Sequence, residues 1–213
     1  MAALVAECRL ARRMLHQPSG DRLVGIDEVG RGAWAGPVVV GAARGSVAAA
    51  AAILAHPRGG VRDSKALSPA AREAALGALE AAGLELTVGS ASAREIDKLG
   101  LTGALRLAAH RALGAASELE VLLDGRVPYV EAGRVHCIVG GDRRHPLIAA
   151  ASIVAKVRRD AFMVALDELA AGYGFARHKG YGTAEHRRAL SEHGVTPWHR
   201  RSFGPIGGMV EHG

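Results

Sequence analysis

The chain has 213 residues, a formal net charge of +6 and a sequence pI near 9.9; this is length for one domain with a sizeable core and a charge that favours a polyanionic partner without proving one. Apolar residues make up 49% and aromatics only 4%, which excludes a disordered chain and suits alanine-rich helices lying close on a sheet. Cys8 and Cys137 show no ligand or disulfide spacing and no run is apolar enough for a bilayer or a signal core, so a reduced, cytoplasmic protein is expected.

Ala2 to His16 carries leucines and alanines at helical spacing and predicts an N-terminal helix. Leu23 to Asp27 and Pro37 to Ala43 read as two strands, antiparallel, joined across a glycine turn. Ala48 to Leu54 is too alanine-rich to assign, and Arg62-Asp63-Ser64-Lys65 is a polar loop. Ser68 caps a helix that has Pro69 at its first position and Gly83 at its end. Leu84 to Ser90 alternates as a strand, and Ser92 with Glu95 is a capping-box signature for a short helix. A separate helix is predicted over about Thr102 to Ala116. Leu119 to Leu123 and Val135 to Val139 are buried strands, the first ending in Asp124-Gly125 and the second in Gly140-Gly141-Asp142. A long helix follows from Pro146 to Ala171, then a glycine-rich basic loop from Phe175 to Gly182, then a helix capped by Thr183 and stopped by Gly194. Strands come first as a meander and then alternate with helices, which predicts an α/β fold with a mixed sheet flanked by helices. One domain over 1–213 is expected, with about 175–213 as a basic C-terminal extension of helix and loop.

Three of the apolar strands end in acids: Asp27-Glu28, Asp124 and Asp142, each beside or near glycine. Strand ends on one edge of a sheet converge even when distant in sequence. Oxygen donors of this kind suit Mg²⁺ or Mn²⁺ rather than zinc, and such a site supports two-ion phosphoryl transfer. Asp and Gly are also ordinary turn formers, so spacing alone leaves the ligand and turn readings both open. Asp27 and Glu28 are adjacent, and neighbours in a strand face opposite ways, so both reach one site only if the strand bends or ends there.

Gly30-Arg31-Gly32 offers backbone amides to a sugar-phosphate chain or is simply a hairpin turn. It is no dinucleotide fingerprint, because the glycine spacing is wrong and a strand follows it. Ser64-Lys65 is a candidate phosphate contact. From Asp142 onward eleven Lys/Arg face seven Asp/Glu, which places most of the basic excess there. Helical pairs such as Arg158-Arg159 and Arg187-Arg188 read as solvated faces, and so do most histidines, with His145 and His199 as candidate phosphate contacts. In the loop run Arg177-His178-Lys179, flanking glycines present Tyr181 for stacking on a sugar or base.

The segment Gly25-Ile26-Asp27-Glu28-Val29-Gly30-Arg31-Gly32, with Ala35-Gly36-Pro37, resembles the opening signature of the ribonuclease HII family. The same family pattern is resembled by Asp63-Ser64-Lys65, Glu95-Ile96-Asp97, Leu123-Asp124-Gly125, Gly141-Asp142 and the run from Ala149 to Val157. It continues through Arg159-Asp160, Tyr173-Gly174-Phe175, the run from His178 to Thr183 and the run from His199 to Phe203, in the family's order and over nearly all of Leu23 to Pro205. The resemblance implies a ribonuclease H-like fold, a mixed five-stranded sheet with a C-terminal helical extension. It implies an endonuclease that cleaves RNA in RNA–DNA hybrids and cuts on the 5′ side of single ribonucleotides in duplex DNA, leaving a 3′-hydroxyl and a 5′-phosphate. By position it makes Asp27, Glu28, Asp124 and Asp142 the catalytic carboxylates around Mg²⁺ or Mn²⁺. It also makes Gly30, Arg31 and Gly32, with Tyr181, the readers of the ribose 2′-hydroxyl. The partners implied are hybrid and ribonucleotide-containing duplex, with no membrane, acted on by a monomer.

Departures are small: Gly140 stands where a lysine often precedes Gly-Asp, Arg62 where asparagine is usual, and Trp34 where smaller residues are usual. Two rival readings are a resolvase-like nuclease of the same fold and a non-catalytic nucleic-acid-binding module. The first gives no role to the ribose-reading residues. The second gives none to four strand-end acids, which repel phosphate unless metal is bound.

Overall fold

The computed structural model describes residues 23–55, 66–114 and 118–210. The helix expected over Ala2 to His16, Cys8 and the loop from Arg62 to Lys65, with Ser64 and Lys65, lie outside the described residues. Five strands form one sheet: β1 (Leu23–Val29), β2 (Val38–Arg44), β3 (Glu85–Ala91), β4 (Glu120–Asp124) and β5 (Arg134–Ile138), in the order β3-β2-β1-β4-β5. The first three pair antiparallel, while β1, β4 and β5 run parallel. This is the mixed α/β sheet expected from the sequence. The apolar run of β2 is buried along its length because helices cover both faces, as they must where parallel strands lie at the centre.

The helices are α1 (Val47–Leu54), α2 (Pro69–Ala81), α3 (Ala93–Leu113), α4 (Pro146–Leu169), α5 (Phe175–His178), α6 (Ala184–His193) and α7 (Gly204–Val210). The ambiguous alanine segment is helical because the Ser46 hydroxyl accepts from the Ala49 amide, and its Val47, Ala50 and Leu54 face the core. Ser68 and Thr183 cap α2 and α6 as expected. The two helices expected after Ser92 both form and follow one another within α3, separated by a kink. Gly100 sits inside it at φ 68 and ψ 167, a conformation other residues resist. The glycine-rich tail holds a turn of helix, α7, because Ile206 is buried beneath it.

One face of the sheet packs on α3 through Val24, Ile26, Val40, Val121 and Leu123. The other packs on α1, α2 and α4 through Ala43, Leu54, Leu79, Leu147 and Ile153. Helix α4 lies unusually close to the sheet because its contacting residues are alanines and the strands beneath carry glycine. A Cβ added at Gly25 would sit 2.3 Å from the Leu147 carbonyl carbon, and one at Gly41 would sit 2.2 Å from the Ala151 oxygen. Asp27 pairs with Gly41 across β1 and β2, so the close approach brings α4 down beside the Asp27 side chain. A third cluster, with Ala35, Met163, Tyr173, Phe175, Leu190 and Ile206, binds the C-terminal segments to the end of α4. Asp97 accepts hydrogen bonds from the Arg201 and Ser202 amides, 3.0 and 2.8 Å, and anchors that tail to α3. No described helix is long and apolar enough to cross a membrane.

Candidate metal centre and reading loop

Parallel pairing puts Ile26 opposite Leu123, so Asp27, still within β1, stands beside Asp124 at the end of β4. Asp142 arrives from a short 3₁₀ turn, Gly141–Arg143, after β5. That turn folds back because Gly140 takes a left-handed conformation, φ 64, and because the Gly141 amide donates to Asp124 Oδ1 at 2.8 Å. Carboxylate oxygens of Asp27, Asp124 and Asp142 come within 4.8 Å of one another.

Glu28 is placed differently. β1 continues in register through Val29, with Glu28 opposite Val40, so there is no bend at Glu28 and its side chain takes the α3 face while Asp27 takes the α4 face. Its Oε2 accepts from the Tyr129 hydroxyl at 2.8 Å and its Oε1 from Arg31 Nη1 at 3.0 Å. Glu28 therefore stands beside the group of three rather than within it.

The three aspartates fit a hard divalent cation. Burial pushes the Asp27 carboxyl up to about 7, with the Glu28 and Asp124 charges adding to it and bonds from Ser152 and the Glu28 amide opposing it. A buried, mutually repelling carboxylate group is costly until a cation compensates it. An all-oxygen donor set favours Mg²⁺ or Mn²⁺ over zinc.

Beside this cluster, Gly30 (φ 87) turns the chain out of β1, and Arg31 is exposed. The loop at Tyr181 docks onto the far side of this turn: the Trp34 and Ala35 amides both donate to the Gly180 carbonyl, 2.8 and 3.3 Å. Arg159 lies between the two. A Cβ at Gly30 would be 2.2 Å from its Nε, and its guanidinium sits 5.6 Å from the Tyr181 ring centre. Tyr181 stays 37% exposed, its ring free for a ligand. Gly30 and Tyr181 thus share Arg159 as a neighbour, with Arg31 and Gly32 exposed on the same turn as Gly30.

Two arginines are fully buried, Arg200 and Arg159, the second in a pair that reads as a solvated helical face. Arg159 falls on the inner face of α4 with Ser152, Met163 and Leu166, at three- and four-residue spacing. It donates to the Pro37 and Ala35 carbonyls, 2.9 and 3.4 Å. Arg200 donates to the Gly36 and Arg31 carbonyls, 3.0 and 2.9 Å. Burial, then the neighbouring Arg159 charge, brings Arg200 down to about 9, still charged at neutral pH. Together they form a rigid cationic floor under the Gly30–Gly32 turn. The helical spacing that puts Arg159 in line with Ser152 and Met163 was the available signal.

The histidines are also corrected. His145, His178, His186 and His199 are buried, not surface phosphate contacts. Aromatic residues enclose three of them, Trp34, Tyr173 and Phe175 among the walls. Backbone donors dictate their tautomers. The Thr196 amide donates to His199 Nδ1 at 3.0 Å, so His199 carries its proton on Nε2 and donates to His186 Nε2, 3.0 Å away. His186 then donates from Nδ1 to the Tyr181 carbonyl at 3.1 Å. This neutral chain holds the Tyr181 loop from below. Trp34, the unusual residue here, covers it and packs on Gly182.

Burial lowers His145, His186 and His199 to about 4. The unfolded chain therefore binds more protons than the fold between that value and the ordinary 6.5. Their contribution to stability is complete above pH 6.5 and is lost as pH falls through 4. Asp27 acts with the opposite sign in metal-free protein, but the three histidines outweigh it. Thermal unfolding in EDTA should show a midpoint falling steeply from pH 6.5 to 4.5; a flat profile would refute the neutral buried assignment.

A family model described as ribonuclease HII matches residues 24–205. A ribonuclease HII of Halorhodospira halophila is 51% identical over 189 residues, covering 86% of this chain and 92% of the relative. One of Thermus thermophilus is 44% identical over 185 residues, with 86% and 87% covered. Among solved structures, the chain in the PCNA:RNase HII complex from Archaeoglobus fulgidus has a TM-score of 0.68 at 23% identity, over 85% of this chain and 95% of that one. Bst-RNase HIII in complex with Mn²⁺ has a TM-score of 0.68 at 21% identity, over 95% and 72%. The structural likenesses carry the fold, and the sequence likenesses carry the kinship.

Proposed function

Because the chain belongs to the ribonuclease HII family, it is a metal-dependent endoribonuclease of RNA–DNA hybrids, and we propose that it also incises on the 5′ side of single ribonucleotides in duplex DNA, leaving a 3′-hydroxyl and a 5′-phosphate. The observation that carries this reading is the convergence of Asp27, Asp124 and Asp142 beside a turn that shares Arg159 with Tyr181. Asp27, Asp124 and Asp142 would hold Mg²⁺ or Mn²⁺, with Glu28 as the fourth catalytic carboxylate at their margin. A divalent ion held there supplies charge stabilisation for the phosphoryl oxygens and makes water a competent nucleophile at neutral pH.

The protein's own part is placement. Backbone amides of Gly30, Arg31 and Gly32 face the ribose, where the 2′-hydroxyl distinguishes RNA from DNA. The exposed Tyr181 ring packs on the same sugar, and its mobility is limited by Arg159 beneath and by the histidine chain at its carbonyl. The Arg159 and Arg200 charges lie below the turn and favour phosphate above it. Ser64 and Lys65 are assigned as contacts to a substrate phosphate.

The test is cleavage of a duplex carrying one ribonucleotide, with Mg²⁺ and Mn²⁺ compared and the cut mapped. Cutting of an all-DNA duplex at the same rate would favour the resolvase-like reading. Tyr181→Ala should slow cutting at a lone ribonucleotide roughly tenfold or more, as loss of one ring contact worth ~1–3 kcal/mol implies. Binding to all-DNA duplex should change little. An equal loss of both would remove Tyr181 from ribose recognition.

A further inference from the structure

The Glu28 carboxylate is claimed by two donors before any ion arrives. Tyr129 comes from the segment that follows β4, far from Glu28 in sequence, and is buried within the α3-side core. Its hydroxyl reaches Glu28 Oε2 at 2.8 Å. The other oxygen is held by Arg31, whose side chain is exposed on the ribose-reading turn. A hollow of about 300 Å³ lined by Arg31, Asp124, Arg126 and Tyr129 opens on this side of the strand ends. Both donors of Glu28, Arg31 and Tyr129, border this space together with Asp124.

We propose that Tyr129 is a positioning residue for Glu28: with Arg31 it holds that carboxylate outside the group of three aspartates, so that a divalent ion first meets the aspartates alone. Glu28 joins the ion when one of the two bonds is released. The Arg31 bond is the weaker restraint, because it is exposed and screened by solvent. The Tyr129 bond is the stronger, being shielded from water and made to a charged group. Since Arg31 belongs to the turn that meets the ribose, anything that draws Arg31 onto a phosphate also frees Glu28. Binding at the reading turn and ion affinity are therefore coupled, and by linkage each strengthens the other.

The proposal rests on the metal-centre reading above, and the experiment separates the two. Mn²⁺ binding to the full chain is measured by calorimetry without nucleic acid, for wild type, Asp27→Asn, Tyr129→Phe, Glu28→Gln and the Tyr129→Phe/Glu28→Gln double variant. Asp27→Asn should lose Mn²⁺ binding; if it binds like wild type, the metal-centre reading falls and this proposal with it. Given that loss, Tyr129→Phe should bind Mn²⁺ more tightly by roughly tenfold or more, the scale of one hydrogen bond to a charged group removed from the competing state. The gain should vanish in the Glu28→Gln background. Unchanged or weaker Mn²⁺ binding by Tyr129→Phe, or a gain that persists without the Glu28 charge, would overturn the assignment while leaving the metal centre in place. Circular dichroism of Tyr129→Phe checks that the variant is folded; if it is not, Tyr129→Leu in the same titration serves, with the same outcomes.

Discussion

Asp27→Asn should abolish cleavage and at the same time stabilise the metal-free protein. Both effects follow from one fact: a carboxylate buried among like charges is costly until a cation compensates it. Burial raises this group from 3.8 to about 7, so the fold holds a proton that the unfolded chain releases. Its cost is absent below pH 3.8, grows as pH rises from there to about 7, and levels off at roughly 4 kcal/mol above that value. Asparagine keeps the acceptor for the Glu28 amide, 2.8 Å away in the wild type, and removes the charge. In EDTA at pH 8 the variant should unfold several degrees higher, since ~1 kcal/mol is worth about 2–4 °C in a chain of this size. In Mn²⁺ the order should reverse, because only the wild type gains from ion binding. Differential scanning fluorimetry under both conditions, alongside a gel assay expected to show a loss of at least roughly a thousandfold in rate, tests the pair. A variant that cuts at the wild-type rate, or one less stable in EDTA, would sink the assignment.

Gly25→Ala should be strongly destabilising. The added Cβ would meet Leu147 and Ile148 main-chain atoms at 2.3 to 2.6 Å. Main chain in the first turns of α4 cannot rotate away as a side chain does, so the helix must lift off the sheet. Overpacking of this kind costs about 1–3 kcal/mol and more where backbone must move. The lift also withdraws α4 from Asp27, so cleavage should fall with stability. Gly77→Ala is the opposite case. Its site in α2 is open, with nothing within 4 Å of an added Cβ, and the substitution should stabilise by about 1 kcal/mol. Thermal unfolding of both variants decides; a neutral Gly25→Ala would mean that α4 does not depend on this close approach.

Much of the fold was legible in the chain because its signals are local. Ser68 with Pro69, Ser92 with Glu95, and Thr183 with Gly194 are start and stop signals that act over three or four residues, and each works in place. The five strands were readable from apolar runs bounded by glycine and acid. What misled was also local. Arg158-Arg159 reads as a charged pair, yet Arg159 faces inward because the α4 stripe runs through it. His186 and His199 read as surface groups, yet His186 on α6 and His199, thirteen residues on, meet once the segment after α6 folds back on that helix.

Residue order alone was enough to place an acid at the end of β4, acids late in β1 and shortly after β5, and a glycine turn beside one of them, since periodicity and turn chemistry are properties of neighbours. Whether those acids meet is a matter of sheet order and register, and here the parallel pairing of β1 with β4 aligns Asp27 with Asp124 while the turn at Gly140 returns Asp142. The side on which Glu28 falls was likewise beyond the linear chain. It depends on β1 running straight through Val29 and on Tyr129 arriving from a remote segment to bind it, because strand alternation assigns a face only once the strand's end is known.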